Sequence, residues 1–148
     1  MSDLKQLYQE VILDHYRKPR NFGVLGAPRC EAAGHNPLCG DRVKVFLRVD
    51  GERVEDIAFE GAGCAISTAS ASLMTEAVKG KSVADVKTLF SRFRDMVTGN
   101  EVVGAYDLGK LEALAGVRDL PVRVKCATLA WHTLQAALDD QDELVTTE

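Results

Sequence analysis

Three segments that lie far apart in the sequence each present a cysteine in a setting that suits metal binding. These segments are 36–41 (NPLCGD), 61–64 (GAGC) and 124–126 (VKC). No C-x-x-C knuckle joins Cys39, Cys64 and Cys126, so only a folded domain could bring their sulfur atoms together. Asp41 adds a carboxylate, and three thiolates with one carboxylate are a ligand set that fills a tetrahedral zinc shell. We therefore predict one metal site built from these four side chains.

Each of the three thiols has a local reason to ionise. Cys64 follows a glycine-rich turn at the expected start of a helix, where unpaired N–H groups and the helix dipole favour a thiolate. Cys126 stands next to a lysine and close to Arg123 near the start of another helix. Cys39 is expected on a loop, where Gly40 permits the tight backbone turn that both flanking ligands need. Low-pKa thiolates are the better metal ligands and supply more nucleophile at neutral pH.

The remaining cysteine and the histidines have simpler explanations. Cys30 has no Asp, His or second Cys beside it, which is typical of a small buried apolar residue. His132 falls about 240° around its helix from the last cysteine, so it points away from the predicted site. His15 shares the inner stripe of the first helix and is expected to be a hydrogen-bonded packing residue. His35 is the only histidine close enough in sequence to reach the site.

The bulk properties bound the class of protein. A chain of 148 residues that is 46% hydrophobic is expected to form one domain, 1–148, and to bury a core without disulfides. A formal net charge of −4 argues against a nucleic-acid-binding surface. The start of the sequence lacks the pattern of a signal peptide, and no stretch reaches the ~18 apolar residues of a membrane span, so we expect a cytoplasmic protein with reduced thiols and no membrane contact.

The elements that must position the ligands begin with a helix. Apolar residues at helical spacing predict an amphipathic helix over 4–16, with Ser2 or Asp3 as its cap and Pro19 as its end. The many Pro, Gly and Asn residues of 19–38 predict an irregular connection that leads to the first cysteine. Alternation over 42–49, the turn residues at 50–51 and a second apolar run from Val54 to Phe59 predict an antiparallel hairpin with a bulge or a strand start near Asp56.

The second half of the sequence is mostly helical. We predict a helix over 64–79 ended by Gly80, a helix capped by Ser82 with Asp85 that reaches 97, and a shorter helix over 108–114 stopped by Gly116. Pro121 then opens a last helix that leads into an acidic, solvated tail. Strands come first and helices mostly after them. The predicted class is therefore α+β, a small antiparallel sheet with helices packed on one face.

The chain resembles the U-type iron–sulfur cluster assembly proteins (the IscU/NifU N-terminal-like family) and, within them, the SufU branch. The likeness covers nearly the whole chain and rests on segments 7–16 (LYQEVILDHY), 19–21 (PRN), 36–41 (NPLCGD), 61–67 (GAGCAIS) and 121–132 (PVRVKCATLAWH). The resemblance implies a SufE/IscU-like fold. It also implies that Cys39, Asp41, Cys64 and Cys126 are the metal ligands.

Two departures from the IscU-type scaffolds point to SufU. Those scaffolds have His immediately before the last cysteine, where Lys125 stands here, and they lack the extra segment at roughly 80–116. The resemblance therefore implies a zinc-containing protein that takes persulfide sulfur from a SufS-type cysteine desulfurase on Cys39 and delivers it towards a downstream SUF scaffold. Arg123 and Lys125 are candidate contacts to the persulfide or the partner, or else solvated charges at a helix start.

Two other functions use the same ligands. A scaffold could assemble a [2Fe–2S] cluster on these thiolates, because sulfur ligands suit both iron–sulfur clusters and zinc. A binding module could also hold a purely structural zinc. The metal content of the purified protein distinguishes a cluster scaffold from a sulfur-transfer protein. The effect of removing Cys39 distinguishes a structural zinc from a zinc that takes part in sulfur transfer.

Overall fold

The computed structural model describes residues 2–27, 29–99, 108–139 and 145–146. The order of elements is α1 (Ser2–Arg17), β1 (Cys30–Asn36), β2 (Asp41–Asp50), β3 (Arg53–Ala62), α2 (Ala65–Val78), α3 (Val83–Val97), a 3-10 helix (Gly109–Asp119), α4 (Pro121–Leu138) and β4 (Val145–Thr146). The sheet has the order β3-β2-β1-β4, with antiparallel pairing among β1, β2 and β3. Helices α2 and α4 pack on this sheet and bury its apolar face. The predicted α+β class is confirmed.

The β2–β3 hairpin forms as its alternation predicts. One face of β2 is buried in the core by Val43, Val45 and Leu47. Gly51 takes the positive φ of 62° that the tight turn requires. The predicted bulge is confirmed, because Arg48 pairs with Asp56 whereas the next residue, Val49, pairs with Val54. The extra residue on β3 restores the inward alternation of the apolar side chains.

The prediction of an irregular connection over 19–38 is wrong for its second half, which forms β1. Residues Cys30–Asn36 include few β-branched or aromatic side chains, so their sequence carries a weak strand signal. The strand forms because β2 pairs with it along its whole length and α4 packs against it. Gly34 is needed there, since a Cβ at this position would collide with the Thr133 hydroxyl of α4. Tertiary packing therefore determines this strand.

The β1–β2 connection presents the first predicted ligand. Asn36 at the end of β1 pairs with Asp41 at the start of β2, so residues 37–40 form a short hairpin loop with Cys39 near its tip. Gly40 has a φ of 70°, which confirms the expected tight turn. Asp41 is therefore held in the sheet, whereas Cys39 lies outside the sheet on the loop.

The helix ends follow their capping signals. Gly80 follows α2 with a φ of 84°. The Ser82 hydroxyl caps α3 by accepting the Asp85 N–H at 3.1 Å, as predicted. Pro121 opens α4, also as predicted.

The short helix predicted over 108–114 is a 3-10 helix, and it continues through Gly116 to Asp119. Its large buried apolar residues recur at every third position, which matches three residues per turn. These residues are Leu108, Leu111, Leu114 and Val117. The stop predicted at Gly116 is therefore wrong, because the packing period of this segment is that of a 3-10 helix.

The tail was expected to be solvated, yet Val145–Thr146 adds a short parallel strand to β1 beside Gly34 and His35. This strand pairs with two residues at the edge of β1, whose backbone groups would otherwise be unpaired there. Of the acidic tail residues, Asp139 caps the end of α4, and the others lie outside the described residues.

Helix α1 is held on α2 by a buried polar contact that includes His15, as its packing role predicts. His15 Nδ1 lies 2.7 Å from the Ser72 hydroxyl, which also accepts the Arg20 N–H at 2.8 Å. The Nε2 atom of the same ring lies 3.4 Å from a Glu76 carboxylate oxygen. This contact holds α1 beside the site described below.

The environment of His15 predicts a pH dependence of stability. Burial lowers the pKa of His15 below its ordinary value of 6.5, with Arg20 acting in the same direction and Glu76 opposing. The unfolded chain then binds a proton more readily than the folded chain, so the free energy of unfolding should fall as pH drops below about 6.5. Urea unfolding at about pH 7.5 and 5.5 should show a smaller loss in His15→Gln than in His35→Gln. Equal losses in both variants would contradict this role of His15.

Candidate metal centre

Three of the four predicted ligands meet at one end of the sheet. The Sγ atoms of Cys39 and Cys126 and a carboxylate oxygen of Asp41 all lie within 4.8 Å of one another. The two sulfur atoms are 3.3 Å apart, and all four cysteines of the chain are free thiols. Asp41 and Cys126 are fully buried, whereas Cys39 is partly exposed on its hairpin loop. We call these three residues the ligand cluster.

Cys64 borders the cluster through its backbone. It caps the N-terminus of α2, and its N–H donates to Asp41 Oδ1 at 2.9 Å. Its sulfur accepts the Ser67 N–H at 3.4 Å and lies outside the ligand cluster. The predicted helix-start position is confirmed, and the role of Cys64 as the fourth metal ligand stays a prediction.

The surroundings of Asp41 fit a bound cation. Its Oδ2 accepts the Asn36 amide N–H at 3.2 Å and its Oδ1 accepts the Cys64 N–H, but no ion pair among the described residues includes it. A fully buried carboxylate is costly unless it is paired or coordinates a metal. With two thiols beside it, the donor set is one that zinc prefers. The residues present therefore fit a zinc ion.

Burial opposes ionisation of one ligand. It raises the pKa of the Cys126 thiol, and the hydrogen bonds with Asp41 and Cys39 act in the same direction. The prediction that Cys126 ionises readily is therefore wrong for the chain without a metal. A bound cation would reverse this preference, because metal binding favours the thiolate and releases the proton.

Arg123 and Lys125 differ in their relation to the cluster. The exposed Arg123 faces the sulfur atoms, and its hydrogen bond with Cys126 followed by the charges of Cys64 and Cys126 raises the pKa of its guanidinium. Lys125 is half-buried, and no side-chain hydrogen bond or ion pair among the described residues includes it. Of the two predicted contacts, Arg123 is the one that the structure brings to the sulfur atoms.

The other candidates lie elsewhere. His35 stands on β1 between buried Gly34 and Asn36, so it faces the opposite side of the sheet from the ligand cluster. The His132 ring packs edge-on against Phe90 at 5.1 Å. Cys30 begins β1, at the far end of the strand from the cluster.

Two residues of the site carry no chemical signal in the sequence. Asn36 is fully buried, and its amide contacts both Asp41 and the sulfur of Cys126. Gly63 lies against Asp41, where a Cβ would stand only 2.5 Å from Oδ1. Both belong to motifs that contain a ligand, but their roles depend on the unpredicted strand β1 and on the contact between two distant loops.

Gly63→Ala should weaken metal retention, because the added Cβ would displace the Asp41 carboxylate. Changes to groups that orient metal ligands cost about 10–100-fold in affinity, and we expect an effect in that range. Zinc competition with a chromophoric chelator measures it. The control is Gly26→Ala, where a Cβ would meet no atom within 4 Å. Equal zinc affinity in the two variants would show that Gly63 does not constrain Asp41.

An apolar groove of about 590 Å³ adjoins the centre. Helix α1, the start of α2, the 3-10 helix and the start of α4 line it, and Cys64 and Arg123 stand in its wall. Three large apolar side chains are also exposed near the cluster, on its hairpin loop and at the start of α4. They are Leu38 (59% exposed), Leu120 (55%) and Val122 (50%). This apolar rim is suited to contact with another protein.

Comparison with known proteins decides the family. Residues 7–93, more than half of the chain, match the NifU-like N terminal domain. The chain belongs to this family. The match confirms the family resemblance that the sequence motifs predicted. No helix within the chain's described residues has the length and apolar character that crossing a bilayer requires.

Two curated relatives of the chain carry different names. The chain is 45% identical over 141 residues to the zinc-dependent sulfurtransferase SufU of Bacillus subtilis, and the alignment covers 95% of each protein. It is 44% identical over 138 residues to the iron-sulfur cluster assembly scaffold protein IscU of Streptococcus pyogenes, covering 93% of this chain and 86% of that one. The solved structure of Fervidobacterium islandicum FiSufU superposes with a TM-score of 0.81 at 34% identity, covering 90% of this chain and 97% of that one.

Proposed function

We propose that this protein is a zinc-containing sulfur acceptor of iron–sulfur cluster biogenesis that takes persulfide sulfur from a SufS-type cysteine desulfurase. One observation carries the proposal: the ligand cluster joins two fully buried ligands to one partly exposed cysteine on a hairpin loop. This arrangement separates residues that retain a metal from a residue that can leave it. The B. subtilis relative, named as a zinc-dependent sulfurtransferase, supports the same function.

The four proposed ligands divide into an exchangeable one and three anchors. Cys39 stands on the loop 37–40, and its departure would leave the sheet intact. Asp41 begins β2, Cys126 lies within α4 and Cys64 caps α2, so none of these three can withdraw without a change in a secondary-structure element. When bound, zinc would stabilise the thiolate forms of these cysteines.

The transfer step requires Cys39 as a free thiolate. Its sulfur attacks the outer sulfur of the desulfurase persulfide, a new S–S bond forms on Cys39, and the desulfurase cysteine leaves as a thiolate. Electrons and charge balance without an added oxidant or reductant. The exposed guanidinium of Arg123 lies near the same sulfur atoms and can stabilise the anion, and a contact of Lys125 with the partner stays a prediction.

The desulfurase is expected to dock on the apolar rim around Cys39. Leu38→Ser should therefore raise the concentration of this protein that half-activates the desulfurase by about tenfold, because truncation of a buried hot-spot side chain costs more than about 1 kcal/mol of binding free energy. Maximal turnover and zinc content should not change. Val24→Ser, at a side chain that is 56% exposed outside the ligand-bearing loops, is the matched control. A rim that serves no docking role predicts the same half-activating concentration for both variants.

A scaffold for a [2Fe–2S] cluster is the second candidate function, because thiolate ligands suit both centres and the S. pyogenes relative is named as a scaffold. The deciding experiment purifies the protein anaerobically under reducing conditions, measures its zinc and iron, and assays desulfurase turnover with and without it. Colourless protein with one zinc per chain and faster turnover supports sulfur transfer. Iron with visible charge-transfer absorption and no effect on turnover would overturn it.

We further infer that residues 1–148 act as a single domain in the cytoplasm and that the sulfur passes to a downstream SUF cluster-assembly scaffold. All four cysteines are free thiols, which suits a reducing compartment. If the metal were only structural, loss of Cys39 would lower stability without a separate effect on turnover.

A further inference from the structure

Asn36 links two of the buried ligands. Its side chain is fully buried at the end of β1, directly across the ladder from Asp41. The Nδ2 atom lies 3.2 Å from Asp41 Oδ2 and 3.4 Å from the Cys126 sulfur. One amide group therefore spans a ligand of the sheet and a ligand of α4.

The chemistry of the two partners determines how this amide is oriented. A carboxylate can only accept hydrogen bonds, so the NH₂ group must face Asp41 rather than the carbonyl oxygen. The carbonyl oxygen of Asn36, in turn, is buried and has no hydrogen-bond partner among the described residues. An unpaired buried acceptor costs about 1–3 kcal/mol. The unpaired carbonyl oxygen is tolerated because the same amide brings its N–H groups to both ligands. The contribution of Asn36 to the site is therefore its two hydrogen-bond donors.

We propose that Asn36 is a positioning residue that keeps Asp41 and Cys126 at their metal-binding separation while Cys39 is away from the metal. The inference rests on the proposed exchange of Cys39. With Cys39 bound, the loop 37–40 and the metal themselves constrain Asp41 and Cys126. Once Cys39 leaves, the loop no longer contributes to that constraint, and the Asn36 amide still joins Asp41 of the sheet to Cys126 of α4.

A purely structural role for Asn36 makes a different prediction. If the amide only caps the hairpin, its loss should lower stability by the same amount whether or not Cys39 is present. If the amide acts during exchange, its loss should matter most when Cys39 is absent. The rate at which zinc is lost therefore separates the two roles, whereas a melting temperature does not.

The test is a double-mutant cycle on the zinc-loaded full chain. Asn36→Leu is made in the parent and in Cys39→Ser, which imitates the state after Cys39 has left, and zinc transfer to a chromophoric chelator is timed. We expect loss about tenfold or more faster in Cys39→Ser, at the lower end of the 10–100-fold effect of groups that orient metal ligands, and only about threefold faster in the parent, below that range. The absorption bands of the Co²⁺-loaded proteins should shift in Cys39→Ser, because a thiolate ligand is lost, and Asn36→Leu should shift them further in that background than in the parent.

Thr133→Val is the control, because it removes another fully buried hydrogen bond, to the Leu129 carbonyl, away from the ligands. It should leave both rates unchanged. Asn36→Ala is the second variant and serves if the leucine prevents folding. Equal fold-changes in the two backgrounds would overturn the positioning role. A separate desulfurase assay tests the proposed function: normal sulfur acceptance by Cys39→Ser would contradict that function, whatever the zinc-loss rates.

Discussion

Cys39→Ser should abolish sulfur acceptance from a SufS-type desulfurase. The serine hydroxyl is no nucleophile for a persulfide at neutral pH, whereas the Cys39 thiol is the one ligand of the cluster that is exposed on a loop. After incubation with the desulfurase and cysteine, mass spectrometry of the parent should show a gain of about 32 Da, one sulfur atom, on the peptide that contains Cys39. The variant should show no such gain, and its activation of the desulfurase should fall to the background rate.

The matched control is Cys30→Ser, which removes a half-buried cysteine at the far end of β1. Its sulfur acceptance should equal that of the parent. A persulfide found only on Cys64 or Cys126 would contradict the assignment of Cys39. A variant that unfolds when Cys39 is lost would instead support a structural metal, so the melting temperature is measured on the same sample.

Asp41→Ala should lose zinc and desulfurase activation together. The carboxylate is fully buried between two thiols and stays in the sheet when the loop that carries Cys39 moves. Since even groups that only orient metal ligands contribute about 10–100-fold in affinity, loss of this ligand should weaken zinc retention by at least about a hundredfold. No sulfur nucleophile is removed, so a thiol relay that needs no metal would leave transfer intact.

Zinc stoichiometry and turnover should be measured on one preparation of Asp41→Ala. Asp56→Ala is the control, because Asp56 lies on β3 and pairs with Lys79 rather than with a ligand. A variant that has lost its zinc but accepts sulfur at the parent rate would refute the exchange mechanism. Coupled loss of both quantities would place the metal in the reaction.

Interactions between residues close together in the sequence were enough to predict many of the secondary-structure elements and their ends. The apolar alternation of β2 and β3, the bulge opposite Arg48 and the Ser82 cap all depend on neighbours within a few residues. The same holds for Cys64 at the start of α2, where a glycine-rich turn precedes a run of small helical residues. Such features follow from backbone preferences and from the period of apolar side chains.

Strand β1 and the 3-10 helix could not be predicted from local preferences and apolar periodicity. The strand has weak propensity and exists because β2 pairs with it while the missing Cβ of Gly34 lets α4 approach. The 3-10 helix follows a period of three that is close to the α-helical spacing, and Gly116 within it resembled a stop. Partners distant in the sequence outweighed local preference in both elements.

By itself, the sequence determined which residue types could bind a metal, because Cys39, Asp41 and Cys126 carry the right donor atoms whatever their neighbours. Only the tertiary structure decided how those donors work. It buried Asp41 and Cys126, left Cys39 on an exposed loop and placed the amide of Asn36 between the two buried ligands. The physical reason is that the donor atoms of a side chain are part of its covalent structure. The burial of these atoms, their separation and their hydrogen bonds arise only where β1, β2, α2 and α4 meet.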